Sequence, residues 1–162
     1  MLKYNQIGDK GARTIARFFK ATSTLTHLNL FSNSIGTKGA NAIFNEFTWN
    51  TTLKRLNLSC NKIDNDLNIG RALELNSTLK ELLLKKNELK DARAIAKTLE
   101  VNTALKVLDL KYNKIEVEGG AALQGSLIIN KMVTLDLMYI STSCMLISSL
   151  LLQSLRSGKR GH

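Results

Sequence analysis

One string recurs along this chain and constrains everything else. Leucines at a fixed spacing, Leu-x-x-Leu-x-Leu, are followed by an asparagine and then by isoleucine or leucine. LTHLNLFSNSI starts at Leu25, LKRLNLSCNKI at Leu53, LKELLLKKNEL at Leu79 and LKVLDLKYNKI at Leu105, and LKYNQI at Leu2 is the end of another copy. The asparagines Asn5, Asn33, Asn61, Asn87 and Asn113 fall at intervals of 28, 28, 26 and 26 residues. A repeat of this length is one small structural unit, so the chain is an array of such units stacked in sequence.

Each copy continues into a helical pattern. In GTKGANAIFNEF the apolar positions are Ala40, Ile43, Phe44 and Phe47; in ARAIAKTL they are Ala92, Ile95, Ala96 and Leu99. Spacings of three and four mark an amphipathic helix. A polar turn, WNTT, LNST or VNTA, then returns to the next leucine. The unit is therefore a short strand, a loop and a helix, and strands joined through a helix are parallel. No unit buries its own apolar side, so stability comes from stacking. Within a strand Leu56 and Leu58 point into the core and Asn57 points away, because side chains alternate.

The recurring asparagine has two readings. It is a ladder residue whose amide satisfies buried backbone groups where the chain leaves the strand, or a turn residue chosen for its backbone conformation. Its recurrence in register favours the ladder. The glycine pairs Gly8/Gly11 and Gly36/Gly39 are read as permitting tight loop geometry before the helix. They form no phosphate loop, since no GxxxxGK[ST] string is present.

This pattern resembles the leucine-rich repeats of the ribonuclease-inhibitor-like subclass, over residues 2 to about 138. The leucine ladder, the asparagine, the repeat length and the N-x-[ST]-x-L return (Asn50–Leu53, Asn76–Leu79) carry the resemblance. It implies an α/β solenoid, with a curved parallel sheet on the concave face and helices on the convex face. The pattern is similar to the repeat arrays of NOD-like receptors and Ran GTPase-activating proteins. The cysteine- and tryptophan-rich character of ribonuclease inhibitor is missing, so ribonuclease binding is not implied.

The expected organisation is a repeat array over residues 1–140, with a partial first repeat, about four full repeats and one degenerate repeat. A degenerate helix over 141–155 and a disordered basic tail over 156–162 follow. Leu2 corresponds to Leu30, and Ile140 stands where an asparagine belongs. The chain reads as a piece of a longer array or as a divergent short member.

The net charge of +10 sits mostly at the two ends, since residues 1–20 carry +4, residues 156–162 carry +3 and the long middle only +3. That argues against a nucleic-acid-binding module. Two unpatterned cysteines, Cys60 and Cys144, make no disulfide framework, and no apolar run is long enough for a transmembrane segment. A reducing, cytoplasmic setting is the expectation. HExxH, CxxC and nucleophile-elbow motifs are absent. Asp64 and Asp66 lack a calcium-loop glycine and terminal glutamate and are read as a solvated loop. No enzyme, cofactor or metal site is expected.

Strand alternation places His27, Asn29 and Phe31 on the concave face. Arg55, Asn57 and Ser59 form the next row, followed by Glu81, Leu83 and Lys85, then Val107, Asp109 and Lys111; Thr134, Asp136 and Met138 continue the series. Such a mixed surface suits a protein partner. Lys54, Lys80 and Lys106 each follow the first leucine of a repeat and form a one-signed file. Its plain reading is hydrated lysines at a rim; its sharper reading is contact with an acidic protein surface. Lys10, Arg13, Arg17 and Lys20 share one helical face, read as a solvated surface or as a dock for an acidic partner or lipid. The functional expectation is a non-enzymatic protein-interaction module working through the concave face. The alternative, from the resemblance alone, is a regulator of a small GTPase, whose sign would be faster GTP hydrolysis.

Overall fold

In a computed structural model of the 162-residue chain, residues 2–21, 24–64, 67–129 and 134–136 are described. The side chains of Lys20, Ala21, Leu67, Ile128 and the last three are not. Among the described residues helices and strands alternate: α1 (Gly8–Ala21), β1 (His27–Asn29), α2 (Thr37–Phe47), β2 (Arg55–Asn57), α3 (Leu67–Leu75), β3 (Glu81–Leu83), α4 (Arg93–Leu99), β4 (Val107–Asp109), α5 (Val117–Ile129) and β5 (Thr134–Asp136). The strands form a five-stranded parallel sheet in sequence order. The segments 141–155 and 156–162 lie outside the described residues.

The leucine spacing explains the stack. Leu28, Leu56, Leu82, Leu108 and Leu135 pair across successive strands. Leu30, Leu58, Leu84 and Leu110 form a second buried column, and Ile35, Ile63, Leu89 and Ile115 a third. Each buried leucine or isoleucine contributes about 1.5–3 kcal/mol relative to exposure, a gain available only when a neighbouring repeat covers it. Opposite the sheet, α2 lays Ala40, Ile43, Phe44 and Phe47 on this core, with the two phenyl rings edge to face at 6.3 Å. Strands sit about 4.8 Å apart whereas packed helices need about 8–10 Å. Stacking the two in one unit therefore curves the array, with the sheet inside.

Two polar spines run through the stack. In the first, Asn61 Oδ1 accepts from the backbone N–H of Asn33 (3.1 Å) and Ile35 (2.9 Å), and its Nδ2 donates to the carbonyls of Leu30 (3.0 Å) and Leu58 (2.9 Å). Asn87 accepts from Ile63 and donates to Leu58 and Leu84. Asn113 accepts from Leu89 and donates to Leu84 and Leu110. Asn33 accepts from Asn5 N–H and donates to Leu2. Asn5 differs: its side chain is exposed and donates to the carbonyl of Lys3. The backbone strain sits one residue earlier, since Tyr4, Ser32, Cys60, Lys86 and Tyr112 have φ between 54° and 58°. The left-handed conformation thus recurs at the residue before each asparagine, and Ser34, just after Asn33, adopts it as well (φ 55°).

The second spine comes from the N-x-[ST]-x-L return. Asn50, Asn76 and Asn102 are buried. Asn76 Oδ1 accepts from Thr78 and Leu79, while its Nδ2 donates to the carbonyls of Phe47 (3.0 Å) and Asn50 (2.9 Å) in the preceding unit. Asn50 donates to Phe19, and Asn102 to Leu73 and Asn76.

The glycines divide in role. Gly8, with φ of +57°, opens α1, but Gly39 lies within α2 where a Cβ would come to 2.8 Å from Asp9 Cα and 2.9 Å from Ala12 Cβ. Its role is the close approach of α1 to α2. Asp9 Oδ1 uses that approach to accept from the N–H of Gly36 (2.7 Å) and Gly39 (3.0 Å), capping α2 from the neighbouring helix.

Candidate protein-binding surface

His27, Arg55, Glu81 and Val107 alternate away from the core, and the strands bring them into register. His27 pairs with Arg55, Arg55 with Glu81, Glu81 with Val107, and Val107 with Thr134. His27 and Arg55 are exposed; Asn29, Phe31, Asn57, Glu81, Leu83, Lys85, Asp109 and Lys111 are half-buried. Ser59 is buried and offers nothing to a partner, because the chain has already turned inward there. Met138 and Asp66 lie outside the described residues.

Several of these side chains are held in place. Arg55 Nε lies 3.1 Å from Glu81 Oε2 across β2 and β3. The ammonium of Lys85 sits 5.1 Å from the centre of the Tyr112 ring in the next repeat, a cation–π contact. Phe31 meets Tyr4 edge to face at 5.2 Å. Asn29, Asn57 and Asp109 each accept, through Oδ1, the backbone N–H two residues on, at 3.0, 2.9 and 3.0 Å. They fix the turn below the surface, so part of their capacity is already used. Leu83 stands between Asn57 and Asp109 in the same row and makes an apolar spot there.

The lysine file is a backbone feature first. Lys80 N–H donates to Lys54 O and Lys106 N–H to Lys80 O, both at 2.8 Å, which sets the three side chains next to one another. Lys80 is exposed and Lys54 and Lys106 half-buried; Lys106 Nζ donates to Thr103 O at 3.1 Å. Lys10, Arg13 and Arg17 are exposed along α1.

His27 is exposed, with Nδ1 2.9 Å from Thr26 Oγ1. Asp64 is exposed, accepts from the Thr37 hydroxyl and donates its N–H to the same oxygen at 2.9 Å. Among the described residues no group of histidines, cysteines or carboxylates is arranged to hold a metal ion. Hydrogen bonding from the Arg93 side chain holds the Asp91 carboxyl below the usual carboxylate range, against some desolvation. No helix of the described residues is long and apolar enough to cross a membrane.

A family model described as Leucine Rich repeat matches residues 2–16, 22–44, 50–66 and 101–123. The repeat at Leu79 falls outside these stretches, yet it has the same strand and the same asparagine bonds as its neighbours. The chain is a leucine-rich-repeat protein, and the ribonuclease-inhibitor-like subclass fits it. Two solved structures share the fold. One, titled Leiomodin-1 Actin-Binding Site 2, is 19% identical with a TM-score of 0.72, covering 90% of this chain and 89% of that one. The other, a tropomodulin C-terminal domain from Caenorhabditis elegans, is 10% identical with a TM-score of 0.65, covering 92% and 95%. No curated protein sequence matches the chain.

Proposed function

We propose that this chain is a protein-interaction module that binds its partner through the concave face of the sheet. The observation that carries this is the in-register outward row, in which ion pair, cation–π contact and turn bonds hold the side chains before any partner arrives. A surface ordered in advance loses little entropy on docking. The face mixes charges of both signs with Phe31, Leu83 and Val107, a composition suited to a protein surface. Lys54, Lys80 and Lys106 at its rim favour a partner with an acidic patch, which they would steer rather than grip. Since one protein of this fold is named for an actin-binding site, actin is the first partner to try.

The test is a titration of actin, or of a partner recovered by affinity capture, against the folded protein and its variants. Arg55→Ala, Lys85→Ala and Lys111→Ala are expected to weaken binding, at least one of them by about tenfold, with the fold intact. Lys54→Ala, Lys80→Ala and Lys106→Ala should slow association and flatten its salt dependence. Lys97→Ala and Glu100→Ala, on the convex side, should leave this binding unchanged. Loss of binding in the convex variants with none in the concave ones would show the surface to be wrong.

A further inference from the structure

Large apolar side chains left in water are normal when scattered, but here they recur at one station of the repeat. Trp49 (78% exposed), Leu75 (52%), Val101 (65%) and Ile129 (62%) stand at the C-terminal ends of α2, α3, α4 and α5. Each immediately precedes an asparagine: Asn50, Asn76, Asn102 and Asn130. The first three asparagines are members of the second spine, which fixes the residue before them at the same place on the rim.

Hollows alternate with these side chains. One of about 310 Å³ lies between α2 and α3 and is shared by Trp49, Arg71 and Leu75. Another of about 480 Å³ lies between α3 and α4, with Glu74, Lys97, Glu100 and Val101 around it. Its floor is a close backbone approach: Thr98 Oγ1 donates to Gly70 O at 2.9 Å, and a Cβ on Gly70 would come to 2.7 Å from Ala94 O. Charge is in register too. Arg71 and Lys97 occupy equivalent positions in successive repeats, and so do Glu74 and Glu100. Across α3 and α4 the rim therefore carries a basic pair and an acidic pair beside its apolar side chains.

We propose that this convex rim is a docking groove for an amphipathic helix of a partner protein, lying across α2, α3 and α4. Packed helices recur about every 8–10 Å, and residues seven apart on a helix are separated by about 10.5 Å. One apolar side chain every two turns then enters each successive hollow, the helix-in-groove mode of recognition. An extended segment fits poorly: three residues span about 10 Å, but residues three apart point to opposite sides. The paired charge rows specify the flanks. The docked helix carries acidic residues towards Arg71 and Lys97 and basic residues towards Glu74 and Glu100. That balance does not favour an anionic lipid surface. This site lies on the opposite side from the concave face, so its failure and that of the concave reading are separable.

Trp49 is the chain's single tryptophan, which provides the readout. The probe is a stapled peptide of about three heptads, with leucines seven apart and flanks of glutamate and lysine. A peptide of the same composition with scrambled leucines is the control. The expected result is a saturable blue shift of Trp49 emission and protection from iodide quenching with the first peptide alone. Leu75→Ser and Val101→Ser should each weaken binding about tenfold without changing the circular dichroism, and Arg55→Ala should not weaken it. Reversing Arg71 and Lys97 to glutamate should abolish binding, and a peptide with that flank reversed should restore it. The proposal is overturned by no shift, by equal binding of the scrambled peptide, or by affinity that follows Arg55. It is also overturned if the shift requires a second copy of the chain at high concentration, or phosphatidylserine vesicles, in place of the peptide.

Discussion

Asn61 meets five backbone groups with one amide: the N–H groups of Asn33 and Ile35 and the carbonyls of Leu30, Leu58 and Ser59. Removing the amide leaves buried groups without partners, so Asn61→Ala and Asn87→Ala should each cost about 1–3 kcal/mol. Urea unfolding checks this against the exposed control Lys62→Ala. Asn76→Ala belongs in the same series, because it serves two carbonyls of the preceding unit and two N–H groups of its own. The first asparagine spine was legible because it recurs beside an obvious leucine ladder. The second was visible as a repeated string but read as a polar turn, since nothing in a local sequence says that a turn amide reaches a neighbouring repeat. The strained residue before each asparagine is not legible at all: Tyr4, Ser32, Cys60, Lys86 and Tyr112 share a backbone angle but no residue type common to all five. Lys86→Gly should relieve that conformation and be neutral or stabilising by up to about 1 kcal/mol, whereas Lys62→Gly should destabilise.

The apolar spacing makes the helices legible as amphipathic, but it does not carry their mutual distance. Gly39 looks like a loop glycine in sequence and is a helix-packing glycine in space, because the obstacle to a side chain there is Asp9 and Ala12 of another repeat. Gly39→Ala should therefore push α1 away, uncouple the Asp9 cap and speed hydrogen exchange across Gly8–Ala21. Gly125→Ala, in α5 with open space around it, should be neutral or stabilising by up to about 1 kcal/mol. At the start of α4, Asp91 Oδ1 accepts from Arg93 N–H at 2.9 Å, and Arg93 Nη2 lies 2.7 Å from Oδ2. The Arg93 side chain lowers the Asp91 pKa. A depressed carboxylate stabilises fully above its unfolded pKa, and that contribution is lost as pH falls through the lower folded value. Arg93→Ala should move the Asp91 titration, followed by carboxyl NMR, back up towards the ordinary range. Both groups are substantially exposed, so the effect on stability is small.

For the molecule as a whole, the repeat length, the parallel order of the strands and the sheet-inside, helix-outside layering all follow from the sequence pattern. The surfaces follow less well. Charge signs along the concave rows could be listed from strand alternation. The Arg55–Glu81 pair, the Lys85–Tyr112 contact and the burial of Ser59 depend on register and on where each strand stops. The rim of Trp49, Leu75, Val101 and Ile129 is not legible in the sequence, because a lone apolar residue beside a turn carries no periodic signal. The inter-repeat bonds of both spines also share a direction. Asn50, Asn61, Asn76, Asn87, Asn102 and Asn113 all donate to the unit that precedes them. Asn87→Ala should accordingly speed exchange at Ile63, whose N–H it accepts, more than at Leu89, whose N–H is accepted by Asn113. A ribosome makes the chain in the same direction. The amides that complete one repeat emerge about 26 residues later, roughly one to five seconds at about 5–20 residues per second. For that interval the newest repeat is a lodging for whatever else offers an amide, and it closes when its own successor arrives.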